Sequence, residues 1–180
     1  MPPVFGRGPR LHGMNLYLVR HAIAFDPDPA SWPDDRDRPL TPGGEKKFRR
    51  AVRGLDALVP GVDVVLSSPL VRAWRTAELL WKTAGWPEPS RFDPLEPGTP
   101  PPDVVDALQP HASAGAVALV GHEPSLHELV SYLLTGDAGS VRVTLKKGGV
   151  ACLSMEDGLR AGSAALQWVL PPRVLRSLDA

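Results

Sequence analysis

The sequence predicts an α/β fold, a three-layer α/β/α sandwich with a mostly parallel central sheet. Two apolar runs and the rhythm around them carry that expectation. Leu16-Tyr17-Leu18-Val19 ends in Arg20-His21, and Ala116-Val117-Ala118-Leu119-Val120 ends in Gly121-His122. Short continuous apolar runs read as buried strands of a parallel sheet. Strand-like and helical patterns alternate through the first two-thirds of the chain, as such a sandwich requires. Open α/β sheets hold their ligands at the carboxyl ends of the strands, where both runs deliver polar residues.

The first strand is expected over about residues 15–20, followed by a loop rich in Asp and Pro over 25–39. Thr41-Pro42 has the chemistry of an N-cap with proline at the first helical position. The helix it opens runs to about Val59, with Phe48, Val52, Leu55 and Leu58 at helical spacing and Pro60-Gly61 as its stop. Residues 62–66 form a second buried strand, running into the helix-start signal Ser67-Ser68-Pro69. The next helix covers 70–84 and carries Arg72, Trp74 and Arg75. A proline-rich connection over 86–102 leads to a short helix near 103–108, the strand 116–120 and a helix near 125–135. Residues 141–145, 150–155 and 164–170 read as later, partly antiparallel strands.

A length of 180 residues suits one domain over 14–180, with residues 1–13 as a flexible N-terminal extension and Met14 as an alternative start. Formal net charge is zero, which argues against a nucleic-acid or acidic-membrane surface. No stretch has the length of a membrane span, and residues 1–13 lack the apolar core of a signal peptide. The expectation is a cytoplasmic monomer. Cys152 stands alone, so it forms no disulfide within the chain and reads as a buried small hydrophobe. His122 and His127 are five apart with Pro124 between them, whereas a helical zinc pair needs a spacing of four. Neither metal nor cofactor is expected, and His127 and Glu128 read as exposed helix residues.

Three strand ends then need one explanation: Arg20-His21, Ser68 with Arg72, and His122. Arg72 falls in the first turn of its helix, so it can point back over the sheet edge. Guanidinium groups bind phosphate oxygens through paired hydrogen bonds and keep their charge. Two arginines and two histidines suit a tetrahedral phosphoryl group, whose transition-state charge such donors stabilise. A neutral imidazole is a competent nucleophile if its other ring nitrogen is pinned by an acceptor. His21, at the end of a rigid strand, is the better-held candidate, leaving His122 to donate to a phosphoryl oxygen. Ser68 either bonds a phosphate oxygen or caps its helix. Arg38 can border the pocket, Thr41 already serves as a cap, and Arg75 reads as structural. Glu123 either contacts substrate or is a solvated carboxylate at a helix start.

Three segments, Leu18-Val19-Arg20-His21-Ala22, Ser67-Ser68-Pro69-Leu70-Val71-Arg72-Ala73 with Thr76-Ala77, and Val120-Gly121-His122-Glu123-Pro124, together resemble the histidine phosphatase superfamily. The order and spacing match, and the resemblance covers about residues 15–170. It implies a phosphoglycerate mutase-like fold, His21 as the nucleophile that becomes phosphorylated, and Arg20, Arg72 and His122 as its phosphoryl-holding partners. Arg-His-Ala rather than Arg-His-Gly, the segment Asp37-Arg38-Pro39-Leu40-Thr41-Pro42, and a short insertion before the third motif look most like the small SixA-type phosphohistidine phosphatases. That likeness implies a phosphorylated protein or a small phosphorylated molecule as substrate, met at an open pocket rim under a small cap.

One departure bears on chemistry. Mutase-type members carry a general-acid glutamate in a Leu-x-Glu setting, whereas Leu95-Glu96-Pro97 puts glutamate one residue early. Expelling an alkoxide calls for a proton donor, while imidazole is a far better leaving group. Phosphohistidine is therefore the expected substrate. A broad phosphomonoesterase using Glu96, Glu123 or Asp26 as acid, and a phosphate- or phosphoprotein-binding module with little turnover, are the alternatives.

Overall fold

Alternate residues of a strand point to opposite faces of its sheet, and here that alternation sorts the core into two layers. The structure, a computed structural model, describes residues 13–179. Apart from Gly13, the extension expected at the N-terminus lies outside the described residues. Six strands form one sheet in the order β3-β2-β4-β1-β5-β6. They are β1 (Met14–Arg20), β2 (Val64–Ser67), β3 (Ser90–Arg91), β4 (Ala116–Gly121), β5 (Val150–Met155) and β6 (Ala164–Leu170). The β3–β2, β2–β4 and β4–β1 pairs are parallel; β1–β5 and β5–β6 are antiparallel.

Tyr17 and Val19 of β1, with Val65, Ala118, Val120 and Cys152, face a layer formed by α1 (Pro42–Leu58), α2 (Val71–Ala84) and α5 (Pro172–Ser177). Leu16 and Leu18, with Leu66, Val117, Leu119 and Leu153, face α3 (Pro101–Leu108) and α4 (Ser125–Thr135). This is the three-layer sandwich with a mostly parallel sheet that the sequence predicts. The Thr41 hydroxyl accepts from the Gly44 N–H at 2.9 Å, making the expected N-cap of α1. Cys152 is buried as expected, and burial pushes its thiol up to about 11.

Three elements differ from the sequence expectation. Residues 141–145 form no strand: the Val141 N–H donates to the Ser131 hydroxyl and the Leu145 carbonyl accepts from Arg20, so side chains occupy backbone groups a ladder would need. The proline-rich connection contains the edge strand β3, which extends the parallel ladder of β2 by two residues. Pro171-Pro172 opens the short α5, which packs Leu175 into the α1–α2 layer.

The α1–α5 contact needs a residue without a side chain. A Cβ on Gly54 would sit 1.8 Å from the Leu175 carbonyl oxygen, a backbone atom that cannot swing aside. Gly54→Ala is expected to cost on the order of 2 kcal/mol or more, because the helices must separate to accept it. Denaturant unfolding of the two proteins measures this; an unchanged midpoint would contradict the packing.

Candidate active site

Because β2, β4 and β1 are parallel neighbours, their carboxyl ends lie side by side. Arg20 stands in register with Gly121, and Ser67 with Val120. The pairing continues one residue past the strands, where the His21 N–H donates to the Gly121 carbonyl and the Ser68 N–H to the Val120 carbonyl, both at 3.0 Å. On the other side the Gly148 N–H reaches the Arg20 and His21 carbonyls, each at 3.0 Å. Gly148 does so at φ 79°, a left-handed conformation that favours glycine. The end of β1 is thus held from both flanks.

The two imidazoles, His21 and His122, are buried with ring centroids 5.2 Å apart. His21 Nδ1 lies 2.7 Å from the Ala22 carbonyl oxygen. A carbonyl can only accept, so Nδ1 carries the proton and Nε2 keeps its lone pair. Ala22 is fixed in turn, its N–H donating to the Thr76 hydroxyl at 3.0 Å while that hydroxyl donates to the Arg72 carbonyl at 2.7 Å. Thr76, seen in the sequence only as part of a motif, therefore ties α2 to the residue that orients His21.

Ser68 has a task that neither sequence expectation included. Its Oγ accepts from the Leu70 N–H at 3.3 Å and lies 2.8 Å from His122 Nε2. The N-cap of α2 is Leu70, with no side-chain cap bond, so Ser68 orients the imidazole instead of capping the helix. The hydroxyl's own hydrogen has no other acceptor among the described residues, so it donates to Nε2 and leaves the His122 proton on Nδ1.

Arg72 is buried and bound to one residue, Asp35. Its Nη1 donates to the Asp35 carbonyl at 2.7 Å and its Nη2 lies 3.0 Å from Asp35 Oδ2. Arg38 grips the same carboxylate, Nε to Oδ1 at 2.7 Å, and donates to the Phe25 carbonyl at 2.7 Å. Sequence reasoning missed Asp35, which is hidden in an acidic loop, although Arg38 three residues later marked the place. The hydrogen bond from Arg38 holds the Asp35 carboxyl below the usual range, so it is ionised. Arg20 donates Nη1 to the Leu145 carbonyl at 2.8 Å.

Three buried nitrogens in this cluster have no hydrogen-bond partner among the described residues: Arg20 Nε, Arg72 Nε and His122 Nδ1. A buried donor without an acceptor costs about 1–3 kcal/mol, more when charged. Three together define a place for an acceptor-rich anion. Glu96 pairs both carboxylate oxygens with Arg36. Arg75 is structural as expected, bridging Glu45 and Glu78. His127 is half-buried rather than exposed, its Nδ1 lying 2.6 Å from Glu123 Oε2. No group of three or more His, Cys, Asp or Glu side chains among the described residues is placed to hold a metal ion. No helix among them is long and apolar enough to cross a membrane.

Burial lowers the His21 pKa to about 4, with the charges of Arg72, Arg20 and Lys147 pushing the same way against the Ala22 hydrogen bond. Burial likewise lowers His122 to about 3, helped by His21 and Arg72. Both rings are neutral at cell pH. An unfolded histidine takes up a proton near pH 6.5, so between there and pH 4 the unfolded chain binds protons that the native site refuses. Native stability is therefore expected to fall as pH drops through that window, by up to about 3 kcal/mol for each histidine. NMR titration is expected to show neither ring protonating between pH 8 and pH 5; a midpoint near 6.5 for either would contradict the burial.

The matching family model is the histidine phosphatase superfamily (branch 1), over residues 16–94. An uncharacterized protein of Picosynechococcus sp. is 35% identical over 156 residues, 86% of this chain and 89% of its own. Among solved structures, the protein histidine phosphatase SixA complexed with tungstate superposes with a TM-score of 0.78 at 23% identity, over 90% of this chain and 99% of that one. A candidate phosphohistidine phosphatase SixA of Nakamurella multipartitia gives 0.69 at 26% identity, over 88% and 95%. The strand-end cluster and these matches together define a phosphatase class of hydrolase. This chain belongs to the histidine phosphatase superfamily, and its fold is that of the SixA structures.

Proposed function

We propose that this protein hydrolyses phosphohistidine, most naturally on a protein, through a phosphorylated His21. What carries the reading is the pinned tautomer of His21 beside three donors without acceptors. The phosphoryl oxygens take Arg20 Nε, Arg72 Nε and His122 Nδ1. His21 Nε2 attacks phosphorus in line as the P–N bond to the substrate breaks. The Ala22 carbonyl keeps Nδ1 protonated throughout, so phosphorylated His21 carries a cationic ring and is labile to water in the second step. Ser68 holds the His122 tautomer. Asp35 and Arg38 fix Arg72, which makes Arg38 a border residue acting through its neighbours.

The leaving group follows from Glu96. Both of its carboxylate oxygens are engaged by Arg36. Alkyl phosphates need a proton delivered to the departing oxygen itself, whereas phosphohistidine needs one only on the ring nitrogen distal to phosphorus. The test is to compare a phosphohistidine protein, phosphoramidate and a small alkyl phosphate under one set of conditions. The phosphohistidine protein is expected to have the highest kcat/KM, and the alkyl phosphate the lowest. Equal rates on the alkyl phosphate would favour a broad phosphomonoesterase.

A further inference from the structure

Phosphohistidine poses a problem that the nucleophile alone does not solve. A neutral phosphorylated imidazole has a bare lone pair on its distal nitrogen. Breaking its P–N bond then expels an imidazolide anion, a poor leaving group. With a proton on the distal nitrogen, the same cleavage releases neutral imidazole. On the enzyme's side of the phosphoryl group that requirement is already met, because the Ala22 carbonyl holds the distal proton of His21. The substrate's ring needs a counterpart.

A cavity of about 390 Å³ adjoins the phosphoryl cradle and shares Arg20 with it. Its other walls are Glu123, His127 and residues 142–145. This volume falls within the range of small-ligand pockets and exceeds what one imidazole ring occupies. Glu123 has one oxygen engaged, Oε2 with His127 Nδ1 at 2.6 Å, while Oε1 is buried and has no partner among the described residues. We propose that this cavity receives the leaving imidazole and that Glu123 Oε1 protonates and then holds its distal nitrogen. The inference rests on the phosphohistidine reading above.

Burial pushes the Glu123 carboxyl up, against the hydrogen bond and charge of His127 and the charge of Arg20. A raised carboxyl is a better proton donor near neutrality. The titratable and charged groups lining the cavity with it are His127 on α4, Arg20 at the end of β1 and Arg142 on the segment before β5. The step balances as follows. The Glu123 proton passes to the distal nitrogen, His21 Nε2 bonds to phosphorus, and the P–N electron pair returns to the substrate ring. Neutral imidazole departs with its N–H on Oε1 of the carboxylate. Water then attacks the phosphorylated His21, giving inorganic phosphate and a proton that restores Glu123. His127, partly exposed, links that carboxylate to solvent.

The test compares wild type and Glu123→Gln on a phosphohistidine peptide and on para-nitrophenyl phosphate, whose leaving group needs no proton. At pH 8, kcat/KM for the peptide is expected to fall roughly hundredfold, and that for the aryl phosphate by a factor at least about tenfold smaller. The peptide defect should shrink below pH ~6.5, where solvent protonates an imidazole unaided. Equal losses on both substrates, a loss independent of pH, or no loss would each overturn the role. If Glu123→Gln fails to fold by thermal melting, Glu123→Asp should give the same substrate-selective pattern at smaller amplitude, and its absence overturns the inference too. A wild-type enzyme inactive on the peptide would overturn the proposed function and this inference with it. An active wild type with an unimpaired variant would overturn the inference alone.

Discussion

Replacing His21 by alanine is expected to lower kcat on any phosphorylated substrate by on the order of 10⁴-fold or more. The substitution removes the atom that takes the phosphoryl group, and His122 cannot replace it because its Nε2 lone pair is engaged by the Ser68 hydroxyl. Anion binding is expected to survive in part, since Arg20, Arg72 and His122 keep their free donors. Steady-state turnover and phosphate titration of the same preparation separate the two effects. A variant that keeps a tenth of the wild-type rate would remove His21 from the nucleophile role.

Arg72→Ala is the second large effect, a loss of about 10²–10³ in kcat/KM, the magnitude typical of one transition-state donor. It deletes Nε and leaves the Asp35 carboxylate without one of its two arginine partners, at the edge of an anion site. Repulsion of the incoming phosphoryl group adds to the lost hydrogen bond. Arg72→Lys should recover only part of the loss. An ammonium restores the charge but cannot hold Asp35 through two nitrogens while presenting a third. Because the Asp35 side chain is about half exposed, the Arg72–Asp35 pair should add little to stability. Melting temperatures of both variants check that point, and full recovery by lysine would argue for a site that reads charge alone.

The strand ends were legible in the sequence because they obey a simple rule. An apolar run long enough to cross a buried sheet, such as Leu16–Val19 or Val117–Val120, must deliver its next polar residue to the edge. Thr41-Pro42 was legible for a similar local reason, as the cap and first turn of a helix need only neighbouring residues. What escaped depended on distant partners. Val141–Leu145 alternates like a strand, yet its backbone is claimed by Ser131 and Arg20. The two residues of β3 are too few to pattern, and Ser90 and Arg91 become strand only because β2 offers an edge. Asp35 looks like any acidic loop residue until α2 brings Arg72 to it. Ser68 was read from its neighbours alone, which could not show its bond to His122, fifty-four residues away just past the end of β4.

Trapping the covalent intermediate tests the central claim most directly. The enzyme is mixed with a ³²P-labelled phosphohistidine protein, quenched in alkali within the first turnover, and mapped by mass spectrometry. The expected result is an acid-labile, base-stable phosphoryl group on His21. Turnover with no labelled histidine, or with the label on His122, would contradict it.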